Sequence, residues 1–84
     1  MYYLYILRCA DDTLYTGITT DLERRIKEHN GMMPGGAKYT AARNPVIVVY
    51  HSQHSNRSTA SIEESRIKKL TRQQKEVLIN NIQL

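Results

Sequence analysis

Tryptophan and phenylalanine are absent from this chain, and cysteine occurs once. The lone cysteine, Cys9, excludes an internal disulfide and a cysteine-based zinc site. No apolar run approaches the roughly 20 residues that a membrane helix needs, and no basic-then-apolar leader precedes the first β-prone run. The expectation is a cytoplasmic protein with no membrane and no disulfide partner. Acidic side chains are the scarcer sign, 8 against 12 basic, and the net charge of +4 favours a polyanionic partner over an acidic one. The carboxylates do not gather as a two-metal centre would require. His51 and His54 invite a metal, but nothing else supplies a convincing second pair, and a zinc site is set aside. Internal repeats, linkers and low-complexity segments are missing as well. The 84 residues read as one domain, 1–84, small enough that burial is incomplete.

Six tyrosines supply all the aromatic content. A core would use phenylalanine as readily, so the bias hints at a need for hydroxyls, although a chain this short can reach it by chance. Most of the chemistry lies between Tyr3 and Asn30. The opening YLYIL favours a pleated backbone, Ala10 to Thr13 is a polar break, and Leu14 to Ile18 is β-prone again, so a hairpin is expected. Thr20 with Glu23 matches a capping box, with Asp21 and Glu23 placing negative charge in the first helical turn. Tyr3, Tyr5 and Leu7 share one face of their strand. Whether Tyr15 joins them is left open, because the turn resets the register. On the helix, Leu22 and Ile26 mark an apolar stripe; at about 100° per residue His29 falls within it and Arg25 beside it, while Arg24 and Lys27 point away. An arginine and a histidine turned toward a tyrosine-bearing hairpin exceed what a simple core requires.

Downstream, Asn30-Gly31 reads as a helix C-cap. Gly35 and Gly36 allow close approach of a large ligand, with an ordinary flexible loop as the plainer reading. Lys38, Tyr39 and Arg43 then bring two cations and a stacking surface, suitable for a nucleic-acid backbone. After Pro45, the unbroken apolar run Val46 to Tyr50 suggests a strand buried on both faces, at the centre of a sheet, and His51 to Ser58 a polar loop. A second helix is expected from about Ser58 to Leu70, capped by Ser58 or Thr59, with Ala60, Ile67 and Leu70 packed and with Glu63 and Glu64 both bordering that side. Thr71 with Gln74 makes another capping box, so a third helix starts near Arg72. The expected order is ββαβαα, an α/β (α+β) domain with a small three-stranded sheet flanked by helices.

Tyr3-Leu4-Tyr5 on one strand, Tyr15-Thr16-Gly17 on the next, and Arg25 with His29 on the following helix resemble the GIY-YIG nuclease superfamily. The nearest likeness is to its small, stand-alone bacterial proteins and then to the nuclease domain of Slx-type structure-selective endonucleases. Gly35-Gly36-Ala37 followed by Thr40 is similar to a Gly-Gly-Ala-x-x-Thr segment of that Slx-type branch. Tyr3 stands where the family has its first glycine, Thr16 replaces the central Ile of the second triplet, and the hairpin is slightly short.

The resemblance implies a metal-dependent endonuclease that hydrolyses phosphodiester bonds in nucleic acid, DNA in the first place, in repair or recombination, with Mg²⁺ or Mn²⁺. It selects Glu64 as the metal ligand, because Glu64 precedes Ile67-Lys68 as the family's helical Glu does; helical geometry alone does not separate it from Glu63. By the same likeness Tyr5 is general base or proton relay, a role that needs its phenol pKa lowered by neighbouring cations or the metal. Arg25 would supply that charge and a phosphate contact. Tyr15 would orient water or phosphate, His29 relay a proton or bind phosphate, and Gly17 let backbone approach the substrate. Lys38, Tyr39, Thr40, Arg43 and Lys68 are the expected nucleic-acid contacts. Each has a bland alternative: the tyrosines as core with hydroxyls at the rim, Arg25 as a surface cation, His29 as a satisfied core histidine, Glu64 as an i+4 partner of Lys68. The rival reading is a nucleic-acid-binding module that kept the fold and lost turnover, supported by the altered first triplet. A third is an interaction module that relies on a protein partner to choose its substrate.

Overall fold

The computed structural model describes residues 1–81. Strands β1 (Tyr2–Arg8) and β2 (Leu14–Thr19) form the expected hairpin, followed by helix α1 (Leu22–His29) and the short helix α2 (Lys38–Ala41). Then come β3 (Ile47–His54), α3 (Arg57–Lys68) and α4 (Arg72–Asn81). The α+β class and the three-stranded sheet are as expected. The order gains one element: ββααβαα, because the glycine-containing segment closes with a helical turn that pattern reading took for loop.

The sheet order is β2-β1-β3, all antiparallel, so β1 is central. This corrects the expectation for Val46 to Tyr50. Ile47 to Tyr50 of the run lie on an edge strand, which extends into the supposed loop as far as His54, and Ile47 is well exposed. Buried on both faces is β1, where Leu4, Tyr5, Ile6 and Leu7 are all covered. A strand with a neighbour on each edge and a helical layer on each face has no exposed side left, whatever the alternation of its residues.

β1 divides the core in two. Leu4 and Ile6 join Ile67 of α3 and Ile79 of α4 on one face. Tyr5, Leu7, Cys9 and Val46 cluster on the other, against Leu22 and Ile26 of α1. Full burial of each such aliphatic side chain contributes about 1.5–3 kcal/mol, so these residues outweigh the surface ion pairs. The hairpin register settles the tyrosine question: Tyr5 pairs with Gly17 and Leu7 with Tyr15, which puts Tyr15 and Gly17 on the face of Tyr5. The turn holds this register through Cys9 N–H to Thr13 O at 2.9 Å, with Asp12 in the left-handed region (φ 68°), which Asp tolerates.

The helix caps depart from expectation by one to three residues. Asp21, not Thr20, caps α1, its carboxylate accepting from Arg24 N–H at 3.1 Å. Asn56 caps α3 in place of Ser58 or Thr59, accepting from Thr59 N–H at 2.9 Å. Asp and Asn rank with or above Ser and Thr at this position, so neighbouring candidates compete closely. The Thr71–Gln74 box forms reciprocally, with bonds of 2.9 and 3.2 Å. α4 is fastened to the hairpin by ions: Arg8 bonds Glu76 at 2.8 Å and Asp12 at 2.9 Å, and Arg72 pairs with both carboxylates.

Candidate active site

Tyr5 and His29 are each 1% exposed, one from the middle of β1 and one from the last turn of α1. Their contact follows from position: Gly17, opposite Tyr5, has no side chain, so the phenol lies across it. A Cβ at position 17 would sit 2.6 Å from Tyr5 Oη. The expectation that Gly17 lets backbone approach the substrate meets a different neighbour on the side where a Cβ would project. The glycine is buried and its space is taken by Tyr5.

Four hydrogen bonds link Arg25, Tyr5, His29, Thr40 and Ala37 in a row. Arg25 Nε–H donates to Tyr5 Oη at 3.4 Å. Tyr5 Oη lies 2.9 Å from His29 Nε2, and His29 Nδ1 lies 2.7 Å from Thr40 Oγ1. Thr40 Oγ1 also reaches Ala37 O at 3.1 Å, a carbonyl that can only accept. With the Thr40 proton on Ala37 O, Thr40 accepts from Nδ1–H, and Nε2 of the neutral ring then accepts from the tyrosine. His29 is held neutral: burial, together with the charge of Arg25, lowers its pKa to about 4.

Burial acts on Tyr5 as well and raises its pKa, outweighing the bond and charge of Arg25. The free protein therefore does not carry the lowered phenol pKa that the expected base role calls for. Arg25 itself is a quarter exposed and fixed by Glu28 Oε1 and Gly35 O, both 2.7 Å from Nη1. Among the described residues its Nη2 has no hydrogen-bond partner, which leaves one arm of the guanidinium for an anion.

The tyrosine of β1 and the Arg and His of α1 are joined here by hydrogen bonds, with Tyr15 of β2 packed against their rings. The sequence as a whole agrees: residues 1–77 match the GIY-YIG catalytic domain. The chain belongs to the GIY-YIG family. It is 52% identical over 81 residues to a UPF0213 protein of Clostridium perfringens, spanning 96% of this chain and 85% of that one. It also resembles the solution NMR structures of a UPF0213 protein from Bacillus halodurans (TM-score 0.61, 43% identity, 95% of this chain and 84% of that) and of a protein from E. faecalis (0.65, 42%, 98% and 85%). A GIY-YIG catalytic domain implies nuclease-type activity on nucleic acid.

On this GIY-YIG framework the two candidate glutamates separate. Glu63 pairs with Arg66 and lies near His54 of the edge strand. Glu64 lies close enough for its charge to weigh on Tyr5. It is 23% exposed and its ion-pair partner is Lys68, at 3.3 Å on the same helix. Among the described residues no group of three or more His, Cys, Asp or Glu side chains could hold a metal. Beside the buried pair, Tyr15 sits 5.1 Å from the His29 ring and 5.7 Å from Tyr39, and the Arg43 guanidinium lies 4.2 Å over Tyr39. Tyr39 is 38% exposed at the outer end of this row.

Other expected nucleic-acid contacts are placed differently. Thr40 is fully buried, and its hydroxyl is used by His29 and Ala37, so it offers no surface to a ligand. Arg43 is bound to Asp11 at 3.1 Å and to Tyr39 O. The side chain of Lys38 lies outside the described part of the structure. Gly36 lies against the backbone of α1, where a Cβ would collide with the Glu28 carbonyl. Sequence reading missed Glu28, which fixes Arg25, and Asn30, whose side chain bonds both Val46 N and Val46 O. The i, i+3 spacing of Arg25 and Glu28 was a usable signal for the first. Nothing local marks the second, which joins residues sixteen apart.

Proposed function

We propose that this protein is a divalent-metal-dependent endonuclease that hydrolyses phosphodiester bonds in DNA, with a place in repair or recombination. The observation that supports it most is the Tyr5–His29 hydrogen bond with Arg25 behind it. As the attacking water yields its proton to Tyr5 Oη, the phenol proton passes to His29 Nε2. Tyr5 ends as a phenol and His29 as an imidazolium, so no free phenolate is needed and the raised pKa of Tyr5 is no obstacle. A phosphate on the open arm of Arg25 would offset the charge that holds the His29 pKa down, so substrate binding itself makes His29 a better acceptor.

Glu64 suits Mg²⁺ or Mn²⁺ as a largely covered hard oxygen donor, with waters filling the remaining octahedral positions. Such an ion would supply charge to the phosphoryl oxygens and the leaving oxygen. Lys68, bound to Glu64 in the structure, would then be released toward a phosphate. Tyr15 would orient water or phosphate, and Tyr39 with Arg43 would meet the nucleic acid at the outer end of the row.

The test is incubation with flapped, branched, single-stranded and plain duplex DNA, and matched RNA, with and without Mg²⁺ or Mn²⁺. Metal-dependent nicking of DNA is expected. A second reading, a binding module without turnover, draws on the altered first triplet, where Tyr3 stands in place of the family's glycine; binding to the same panel with no product at any metal concentration would replace the nuclease reading with it.

A further inference from the structure

We propose that Thr40 is a positioning residue that sets the tautomer of His29, so that Nε2 faces Tyr5 as a proton acceptor. The inference rests on the nuclease reading for its consequence but not for its geometry. Thr40 is 0% exposed, which leaves its hydroxyl no role toward solvent or ligand. The Ala37 carbonyl, 3.1 Å away at the start of α2, can only accept and so draws the hydroxyl proton. The Thr40 oxygen therefore accepts, and the group 2.7 Å away, His29 Nδ1, must donate. A hydroxyl free to rotate would fit either tautomer, whereas one already donating to a carbonyl fits one.

The arrangement also suits both protonation states. Neutral His29 donates from Nδ1 to Thr40; the imidazolium does the same and donates from Nε2 to the Tyr5 oxygen. Nothing on the Thr40 side has to turn during proton transfer, which is the preorganisation that lowers a barrier. The surrounding sequence reads as the support for this contact. Gly36 lets the chain touch the backbone of α1 at Glu28, where any side chain would collide, and Gly35 adopts φ +106° to bring it there. The Gly35-Gly36-Ala37-x-x-Thr40 segment thus presents the hydroxyl from one end and the Ala37 carbonyl that orients it from the other.

Thr40→Val keeps the shape and removes the hydroxyl, and Thr40→Ser restores it. Two readouts apply: the ¹⁵N shifts of the His29 ring, and single-turnover cleavage beside binding affinity for the same DNA. The parent protein should show Nδ1–H with bare Nε2. Thr40→Val should lose that preference and cut about 10²-fold slower, within the range a general base contributes, with affinity unchanged; Thr40→Ser should return both. Nε2–H in the parent, or an unchanged tautomer in Thr40→Val, overturns the proposal, as does a Thr40→Ser variant no better than Thr40→Val. Should Thr40→Val fail to fold, Thr40→Ala against Thr40→Ser carries the same comparison. If the parent cuts nothing, the nuclease reading fails, while the ring nitrogens still decide the role of Thr40.

Discussion

Tyr5→Phe removes one hydroxyl from the centre of the cluster and leaves the apolar area intact. His29 Nε2 then loses its donor, and an orphaned buried acceptor costs about 1–3 kcal/mol, a fall that a denaturation midpoint would register. Single-turnover cleavage should drop by about 10²–10⁴-fold with DNA affinity preserved, because the lost group acts in the transition state. A variant that cuts at the parent rate would reduce Tyr5 to a core residue. Glu64→Gln should abolish metal-dependent cleavage and spare metal-free binding, while Glu63→Gln, which loses only the Arg66 pair, should be mild; equal effects would refute the metal assignment. His29 also imposes a pH dependence on stability. Its pKa lies near 4 in the folded protein against an ordinary 6.5, with Tyr5, Tyr15, Arg25 and Glu28 the titratable groups around it. Between these values the unfolded chain holds a proton that the folded chain refuses. The contribution is complete above about pH 6.5 and is lost as pH falls toward 4, an effect of about 3 kcal/mol at its limit. Denaturant midpoints of the parent should fall across that window, and His29→Gln should flatten the curve there. Parallel curves would mean that His29 titrates normally.

Among the elements, the segment between α1 and β3 was the least legible. The hairpin, α1 and the inward turn of Arg25 and His29 follow from period and propensity, which are local. The role of Gly36 is a contact with Glu28 through space, and no spacing rule announces it. The same holds for β3: its apolar run describes its own side chains, whereas its place at the sheet edge depends on where β1 and β2 settle. Glu64 and Glu63 are alike on a helical wheel and become distinct only in the fold, where the charge of Glu64 weighs on Tyr5 and that of Glu63 lies near His54. Gly36→Ala should test the segment. Forcing a methyl against backbone that cannot yield costs about 1–3 kcal/mol. The variant should lose that much in chemical denaturation and should cut slowly in proportion to the displacement of Thr40. An alanine accepted without a change in midpoint would show that the segment is loosely held.

For the molecule as a whole, charge is partly spent internally. Arg25, Arg43 and Lys68 each have a carboxylate partner, in Glu28, Asp11 and Glu64. Binding to duplex DNA should still weaken with salt, by a slope of about −0.9 per phosphate neutralised. Replacing Asp11 with Asn frees Arg43 and should tighten binding and steepen that slope, measured by titration at several salt concentrations. Affinity that ignores salt in both proteins would rule out a backbone-reading surface.

The central strand also bears on how such a protein changes over generations. Leu4 and Ile6 look toward α3 and α4, and Tyr5 looks toward α1. Selection for a sound scaffold therefore acts on one set of positions, and selection for chemistry on those interleaved with them. A lineage that stops needing the reaction can drift at Tyr5, Arg25 or Glu64 while the wall of Leu4, Ile6, Ile67 and Ile79 stays intact. Descendants that cut and descendants that only bind would then look alike in outline, parted by a handful of side chains.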